Sequence, residues 1–192
     1  MNKLLVSTAL AASVVALSAV PAAATNLLSN PGFESGALSP WYQARDFSGH
    51  GGANWAVETT VVHSGTYAAG SDDNYELRQD FTPTAGSSIS DISVWANVDA
   101  MAYDLFYTDG TDSEFLVFGS KTWQQFDLTS NLDVTKTLSG ISFFGNSGAQ
   151  AYIDDAVVDA GGVPEPVTWV LMLVGMGGLG ASLRGRRALA SA

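Results

Sequence analysis

Ile89-Ser90-Asp91-Ile92-Ser93-Val94-Trp95-Ala96-Asn97-Val98 decides the architecture, because its apolar residues recur at every second position rather than every third or fourth. Side chains alternate across an extended strand, so Ile92, Val94, Ala96 and Val98 share one face and Ser93, Trp95 and Asn97 the other. The pattern returns in Tyr103-Asp104-Leu105-Phe106-Tyr107-Thr108 and in Glu114-Phe115-Leu116-Val117-Phe118. Asp109-Gly110 falls between those two runs and suits a hairpin turn, since glycine tolerates positive φ. Outward from this centre, strands are predicted over 53–62, 75–81, 123–128, 138–144 and 151–158. About eight short strands with no long amphipathic helix predict an all-β fold, a β-sandwich of the jelly-roll kind.

The strands lie within residues 25–162, enough chain for one core and too little for two ordinary domains. Residues 1–24 differ in kind. Lys3 precedes an apolar stretch broken by Ser7, Ser13 and Ser18, and Ala22-Ala23-Ala24 follows, which is the layout of a cleaved signal peptide. The interrupting serines and the small-residue cleavage site argue against an uncleaved anchor.

Residues 163–192 form a third kind of segment. Pro164-Glu165-Pro166 is followed by an uncharged apolar run over 167–183 and then by Arg184, Arg186 and Arg187. The run is at the short limit for a transmembrane helix, and the arginines would stay on the cytoplasmic side, leaving 25–162 outside. A proline on each side of Glu165 disfavours helix and leaves an extended, accessible strand. In its tripeptide, its glycine-rich apolar helix (Gly175, Gly177, Gly178, Gly180) and its terminal arginines, in that order, this tail resembles the PEP-CTERM sorting domain of exopolysaccharide-producing Gram-negative bacteria. The resemblance implies recognition by an exosortase, a membrane-embedded cysteine transpeptidase that cuts near the tripeptide. The chain would then sit transiently in the inner membrane before reaching the cell surface or the extracellular matrix. A permanent tail anchor is the other reading.

Composition narrows the partners. The chain has no cysteine, so an exported domain must be held by its core, with or without a metal. Residues 25–162 hold 4 basic residues (Arg45, Arg78, Lys121, Lys136) and 18 acidic ones, a formal charge of 4 − 18 = −14. Such a surface repels phosphate backbones and favours divalent cations, which excludes nucleic acid as a partner.

Four blocks resemble galactose-binding-like carbohydrate-binding modules: residues 26–34 (Asn-Leu-Leu-Ser-Asn-Pro-Gly-Phe-Glu), 62–69 (Val-His-Ser-Gly-Thr-Tyr-Ala-Ala), 77–83 (Leu-Arg-Gln-Asp-Phe-Thr-Pro) and 152–158 (Tyr-Ile-Asp-Asp-Ala-Val-Val). The resemblance implies that the first and last strands are neighbours, which brings Glu34 near Asp154 and Asp155. With oxygens from the loop at Ser64, these acids would hold a structural Ca²⁺, a cation that takes six to eight oxygen ligands. Without a cation, the same acids would cap strand ends or bond loop amides. Both readings stand.

Sugar recognition needs a ring stacked on the apolar face of a pyranose and polar groups that read its hydroxyls. Trp41, Tyr42, Trp55, Tyr75 and Trp95 are the candidate rings, and Arg45, Arg78 and Gln79 the candidate polar partners. Trp95, among polar neighbours on its strand, either forms a platform or packs beneath a loop. Trp123, Phe126, Phe143 and Phe144 read as core, and His63 as satisfying a turn. Two histidines and no cysteine argue against zinc, and no nucleophile elbow supports a Ser-His-Asp triad. The expectation is a non-catalytic exported protein associating with extracellular polysaccharide. The alternative is a structural matrix or biofilm protein that binds other proteins.

Overall fold

The computed structural model describes residues 24–46, 55–71, 75–145 and 150–161. The expected signal peptide and the expected tail (Pro164, Glu165, Pro166, the apolar run, Arg184, Arg186, Arg187) lie outside the described residues. Among the described residues no helix is long and apolar enough to cross a membrane.

Eleven strands are defined among these residues: β1 (Thr25–Asn26), β2 (Tyr42–Asp46), β3 (Ala56–Glu58), β4 (Ala68–Ser71), β5 (Tyr75–Ala85), β6 (Ile89–Asn97), β7 (Ala100–Tyr107), β8 (Asp112–Phe118), β9 (Trp123–Asp127), β10 (Thr137–Phe144) and β11 (Ala151–Ala160). They form two antiparallel sheets. One runs β3-β4-β11-β6-β9 with β1 also on β11, and the other runs β2-β5-β10-β7-β8. The fold is an all-β sandwich, and its first and last strands are paired through Thr25↔Ala160 and Asn26↔Asp159.

Period-two spacing accounts for the core. On β6, Ile92, Val94 and Ala96 are fully buried, with Val98 just beyond, while Trp95 and Asn97 point outward and remain half-buried. The facing sheet contributes Leu77, Tyr103, Leu105, Ile141 and Phe143, all fully buried in the same cluster. Burying one such side chain contributes about 1.5–3 kcal/mol.

The Asp109-Gly110 turn forms where the sequence places it. Gly110 adopts φ +82°, Gly110 N donates to Tyr107 O at 3.1 Å, and Tyr107 N donates to Thr111 O at 3.0 Å. Three strands carried no sequence signal: β1, β2 and β4 are short and lack apolar alternation. The strand expected over 53–62 narrows to Ala56–Glu58, and 75–81 extends to Tyr75–Ala85. A two-to-five-residue strand is defined by its partner's free hydrogen-bonding edge more than by its own pattern.

Candidate functional site

Adjacent residues of a strand normally point to opposite faces, yet Asp154 and Asp155 reach one corner. The register of β11 on β6 slips between Asp154↔Trp95 and Val157↔Ser93, so Asp155 and Ala156 together stand opposite Val94. This bulge, with Asp155 at φ +46°, re-aims the second carboxylate. The N-terminal block fastens it. Asn26 Nδ2 donates to Ala156 O at 2.9 Å, Asn26 Oδ1 accepts from Val158 N at 3.1 Å, and Ala156 N donates to Pro31 O at 3.1 Å.

The corner's acids are engaged mainly by main-chain amides. Asp154, wholly buried, accepts from His63 N (3.0 Å) and Ser64 N (3.1 Å) on Oδ2 and from Asp155 N (2.8 Å) on Oδ1. Burial nevertheless holds its pKa above the usual carboxylate value, and the neighbouring Asp155 charge adds to the rise. Glu34 accepts from Thr66 N and Tyr67 N, both at 3.0 Å, clamping the loop that follows Ser64. Asp155 Oδ2 meets His63 Nδ1 at 2.8 Å. One ligand atom each from His63, Asp154 and Asp155 falls within 4.8 Å of the others. Gly32 leaves a cradle before them, since a Cβ there would stand 3.1 Å from Asp155 Oδ1 and 3.3 Å from Asp154 Oδ1. Glu34 borders the same space, with its Cγ 3.9 Å from that position.

The candidate rings part company. Trp41, Trp55 and Tyr75 lie in the core at 4%, 3% and 5% exposure, so they present no stacking surface, a correction to the sequence expectation. Their polar ends explain the burial, because Trp41 Nε1 donates to Asn30 O and Trp55 Nε1 donates to Tyr75 O. Gln79 is also structural, with its amide mimicking a strand pairing to Ser29 N (2.7 Å) and Ser29 O (2.9 Å). Trp95 packs beneath the loop, its ring stacked on His63 at 3.8 Å and 15°. Trp123, expected in the core, is half-buried on that outer face with its ring 5.6 Å from His63. Phe143 is core as expected, Phe126 packs half-buried against it, and Phe144 is buried on the opposite side of its sheet.

That opposite side is the outer face of β2-β5-β10-β7-β8. Cross-strand partners share a face, so the register fixes its rows. One row runs Tyr42, Arg78, Ser142, Asp104, Glu114; the next runs Glu76, Phe144, Ala102, Leu116. Tyr42, Leu116 and Phe118 stand exposed at its margins, at 43%, 62% and 72%. Arg45 bonds Glu76 through Nε (2.5 Å) and Asp104 Oδ2 through Nη2 (3.0 Å), although its own side chain is 46% exposed. Arg78 lies 3.6 Å over the Phe106 ring and bonds Asp80, which also accepts from the Tyr42 hydroxyl at 2.6 Å. Burial and the Asp80 bond push the Tyr42 hydroxyl up to about 12.

Among the described residues, two buried side-chain oxygens on this face have no hydrogen-bond partner, Asp104 Oδ1 and Ser142 Oγ. Leaving one such atom unmet costs about 1–3 kcal/mol, so a pair of them on facing strands is a stored cost that a ligand can relieve. Burial pushes Asp104 up to about 6; Arg45 opposes the shift, and Glu114, Asp112 and Glu76 reinforce it. Sequence pattern had singled out Arg78 and Arg45 here but not Asp104, Ser142 or Glu76. The signal available was the outward polar series Glu76, Arg78 and Asp80 on β5, alternating with the buried Leu77, and Asp104 and Ser142 between apolar neighbours on β7 and β10.

No known family model matches the chain, and no curated protein matches it. Among solved structures, its fold is similar to that of TmCBM61 in complex with beta-1,4-galactotriose, at 23% identity and TM-score 0.51, with 69% of this chain and 97% of that one covered. It is also similar to a family 16 carbohydrate-binding module, at 13% identity and TM-score 0.50, covering 69% and 98%. A third likeness is to the enzymatically active domain of tailspike protein 4 of bacteriophage CBA120, at 11% identity and TM-score 0.53. There 69% of this chain matches 21% of the larger one. At these identities the shared property is the β-sandwich fold.

Proposed function

We propose that this chain is a non-catalytic exported protein that associates with extracellular polysaccharide through the outer face of its five-stranded sheet. The observation that carries the reading is the composition of that face, where buried polar groups with unmet acceptors lie between exposed Tyr42, Leu116 and Phe118. A pyranose offers the matching surface, with apolar C–H faces and a rim of hydroxyl donors. Support comes from the fold's likeness to carbohydrate-binding modules, one of which is in complex with a galactotriose. Weak single-site affinity is expected, Kd micromolar to millimolar or about −8 to −4 kcal/mol, with avidity on a polymer adding the rest. Calorimetry and co-sedimentation against the producing cell's polysaccharide test the reading. Leu116→Ala with Phe118→Ala should weaken binding, and no binding by a folded protein would reject it.

Edge strand β8 also favours a second reading. Leu116 and Phe118 project from a strand with one edge unpaired among the described residues, a surface that suits a protein partner in a matrix. Matrix-protein association abolished by the same double substitution, without glycan binding, would select it.

The corner of Asp154, Asp155, Glu34 and Ser64 would hold a structural Ca²⁺. Asp154 and Asp155 supply carboxylate oxygens beside the open cradle before Gly32, His63 is the third group of their cluster, and Glu34 borders the same space. The ion would tie β11 to the loop after β3, and chelator should lower the melting temperature by several degrees. An unchanged melting curve rejects the ion. Sorting is proposed to run through Pro164-Glu165-Pro166 and the exosortase, with the arginine-flanked helix holding the precursor in the inner membrane. Alanines in place of the tripeptide should leave the chain membrane-retained at its unprocessed size, and normal release of that variant would sink the idea.

A further inference from the structure

The outer face of β2-β5-β10-β7-β8 has a charge imbalance that speaks to the chemistry of its ligand, given that the ligand is a glycan. Its two arginines are engaged within the protein, Arg78 by Asp80 and Arg45 by Glu76 and Asp104 Oδ2. Asp112 and Glu114, exposed on β8, pair directly across from Phe106 and Asp104 and have no arginine of their own among these contacts. Among the described residues, five acids (Glu76, Asp80, Asp104, Asp112, Glu114) thus share the face with two cations.

Asp104 is where that excess concentrates. It is 1% exposed, ringed by Glu76, Asp112 and Glu114, and one of its two oxygens has no donor. Ser142 Oγ, its cross-strand partner on β10, is equally unmet at 0% exposure. A sugar hydroxyl can donate to these atoms but adds no positive charge to a face where acids outnumber arginines. An ammonium supplies several N–H donors and a further positive charge together, and charge-assisted hydrogen bonds of this kind are about twice as strong as neutral ones. A uronate or sulfate supplies neither. The guanidinium of Arg45 shows that a cation is accommodated against Asp104; because Asp104 and Ser142 are 1% and 0% exposed, an entering ammonium requires side chains above them, Arg45 among these, to shift.

We propose that the glycan taken by this face carries unsubstituted amino groups, one of which donates as an ammonium to Asp104 Oδ1 and Ser142 Oγ. The charge of −14 over residues 25–162 steers such a polycation toward the domain. Asp104 and Ser142 are then the specificity-determining residues of the site.

Calorimetry on the full-length chain in mild detergent tests this with four probes of matched length: glucosamine oligomers, N-acetylglucosamine oligomers, β-1,4-galactan oligomers and oligolysine. Glucosamine oligomers should bind about tenfold or more tighter than their N-acetylated counterparts. Asp104→Asn should lower glucosamine-oligomer affinity about tenfold and so remove that preference, and Ser142→Ala should reduce it by a smaller factor. Glu114→Gln, at an exposed position that leaves the fold intact, should lower the preference as well. Equal binding of glucosamine and N-acetylglucosamine oligomers or galactan overturns the ammonium assignment but leaves the glycan reading standing. Oligolysine binding as tightly as glucosamine oligomers overturns it in favour of general attraction of cations. No heat with any of the three glycans overturns the assignment and the glycan reading together.

Discussion

Asp154 and Asp104 are both buried carboxylates, at 0% and 1% exposure, yet they are served by different kinds of donor. Asp154 receives three main-chain N–H groups, from His63, Ser64 and Asp155. Asp104 receives one guanidinium on Oδ2 and nothing on Oδ1. Backbone donors are fixed once the loop is folded and cannot leave without unfolding it. A guanidinium on a half-exposed side chain can move, and an unmet oxygen invites a replacement. The difference teaches that Asp154 is part of the fold's own closure, whereas Asp104 has hydrogen-bonding capacity that the described residues leave unused.

The sharpest way to break this comparison is Asp154→Ala. It strands three amides, each worth about 1–3 kcal/mol when left unmet, so urea unfolding should show a loss of about 3–5 kcal/mol. A loss below about 1 kcal/mol would mean that the corner is not structural. Gly65→Ala attacks the same corner through the backbone. Gly65 sits at φ +63°, and a Cβ would collide with the Glu34 carboxylate that holds Thr66 and Tyr67. The expected loss is about 2–3 kcal/mol by thermal denaturation, and a neutral result would show that the Glu34 clamp is dispensable.

The pH dependence of stability sharpens the other side. Asp104 at about 6 lies above its ordinary 3.8, so between pH 4 and 6 the folded state holds the proton more tightly than the unfolded one. Stability from this group is therefore greatest below pH 4 and falls as pH rises to 6, by on the order of 2 kcal/mol. Asp104→Asn should flatten that fall. Asp154 is also shifted upward and leaves a remainder of the same sign, so the quantity to read is the difference between variant and parent. An identical slope in both would remove Asp104 as its source. Smallest of all is Ser142→Ala, which deletes an unmet buried hydroxyl and should be neutral or stabilising by about 0.5 kcal/mol. A loss above about 1.5 kcal/mol would reveal a partner for that oxygen.

The sequence alone determined the sandwich. Alternation in residues 89–98, 103–108 and 114–118 and the Asp109-Gly110 turn are local signals, because the pleat period and positive φ act within a few residues. The approach of Glu34, Asp154 and Asp155 also followed, from block order in a resemblance whose paired end strands the structure contains. What only the tertiary structure decided was which rings face solvent and which acids lack partners. Trp41, Trp55 and Tyr75 read as platforms because tryptophan and tyrosine have a polar end. That they are core depends on carbonyls such as Asn30 O, in the loop after β1, and Tyr75 O, on β5, meeting the two indoles. The Asp104–Ser142 pair is invisible for the same reason, since their 38-residue separation closes only through the register of β10 on β7. Alternation fixes which face a residue takes, but its neighbours across the sheet are set by strand order and bulges, which are properties of the assembled fold.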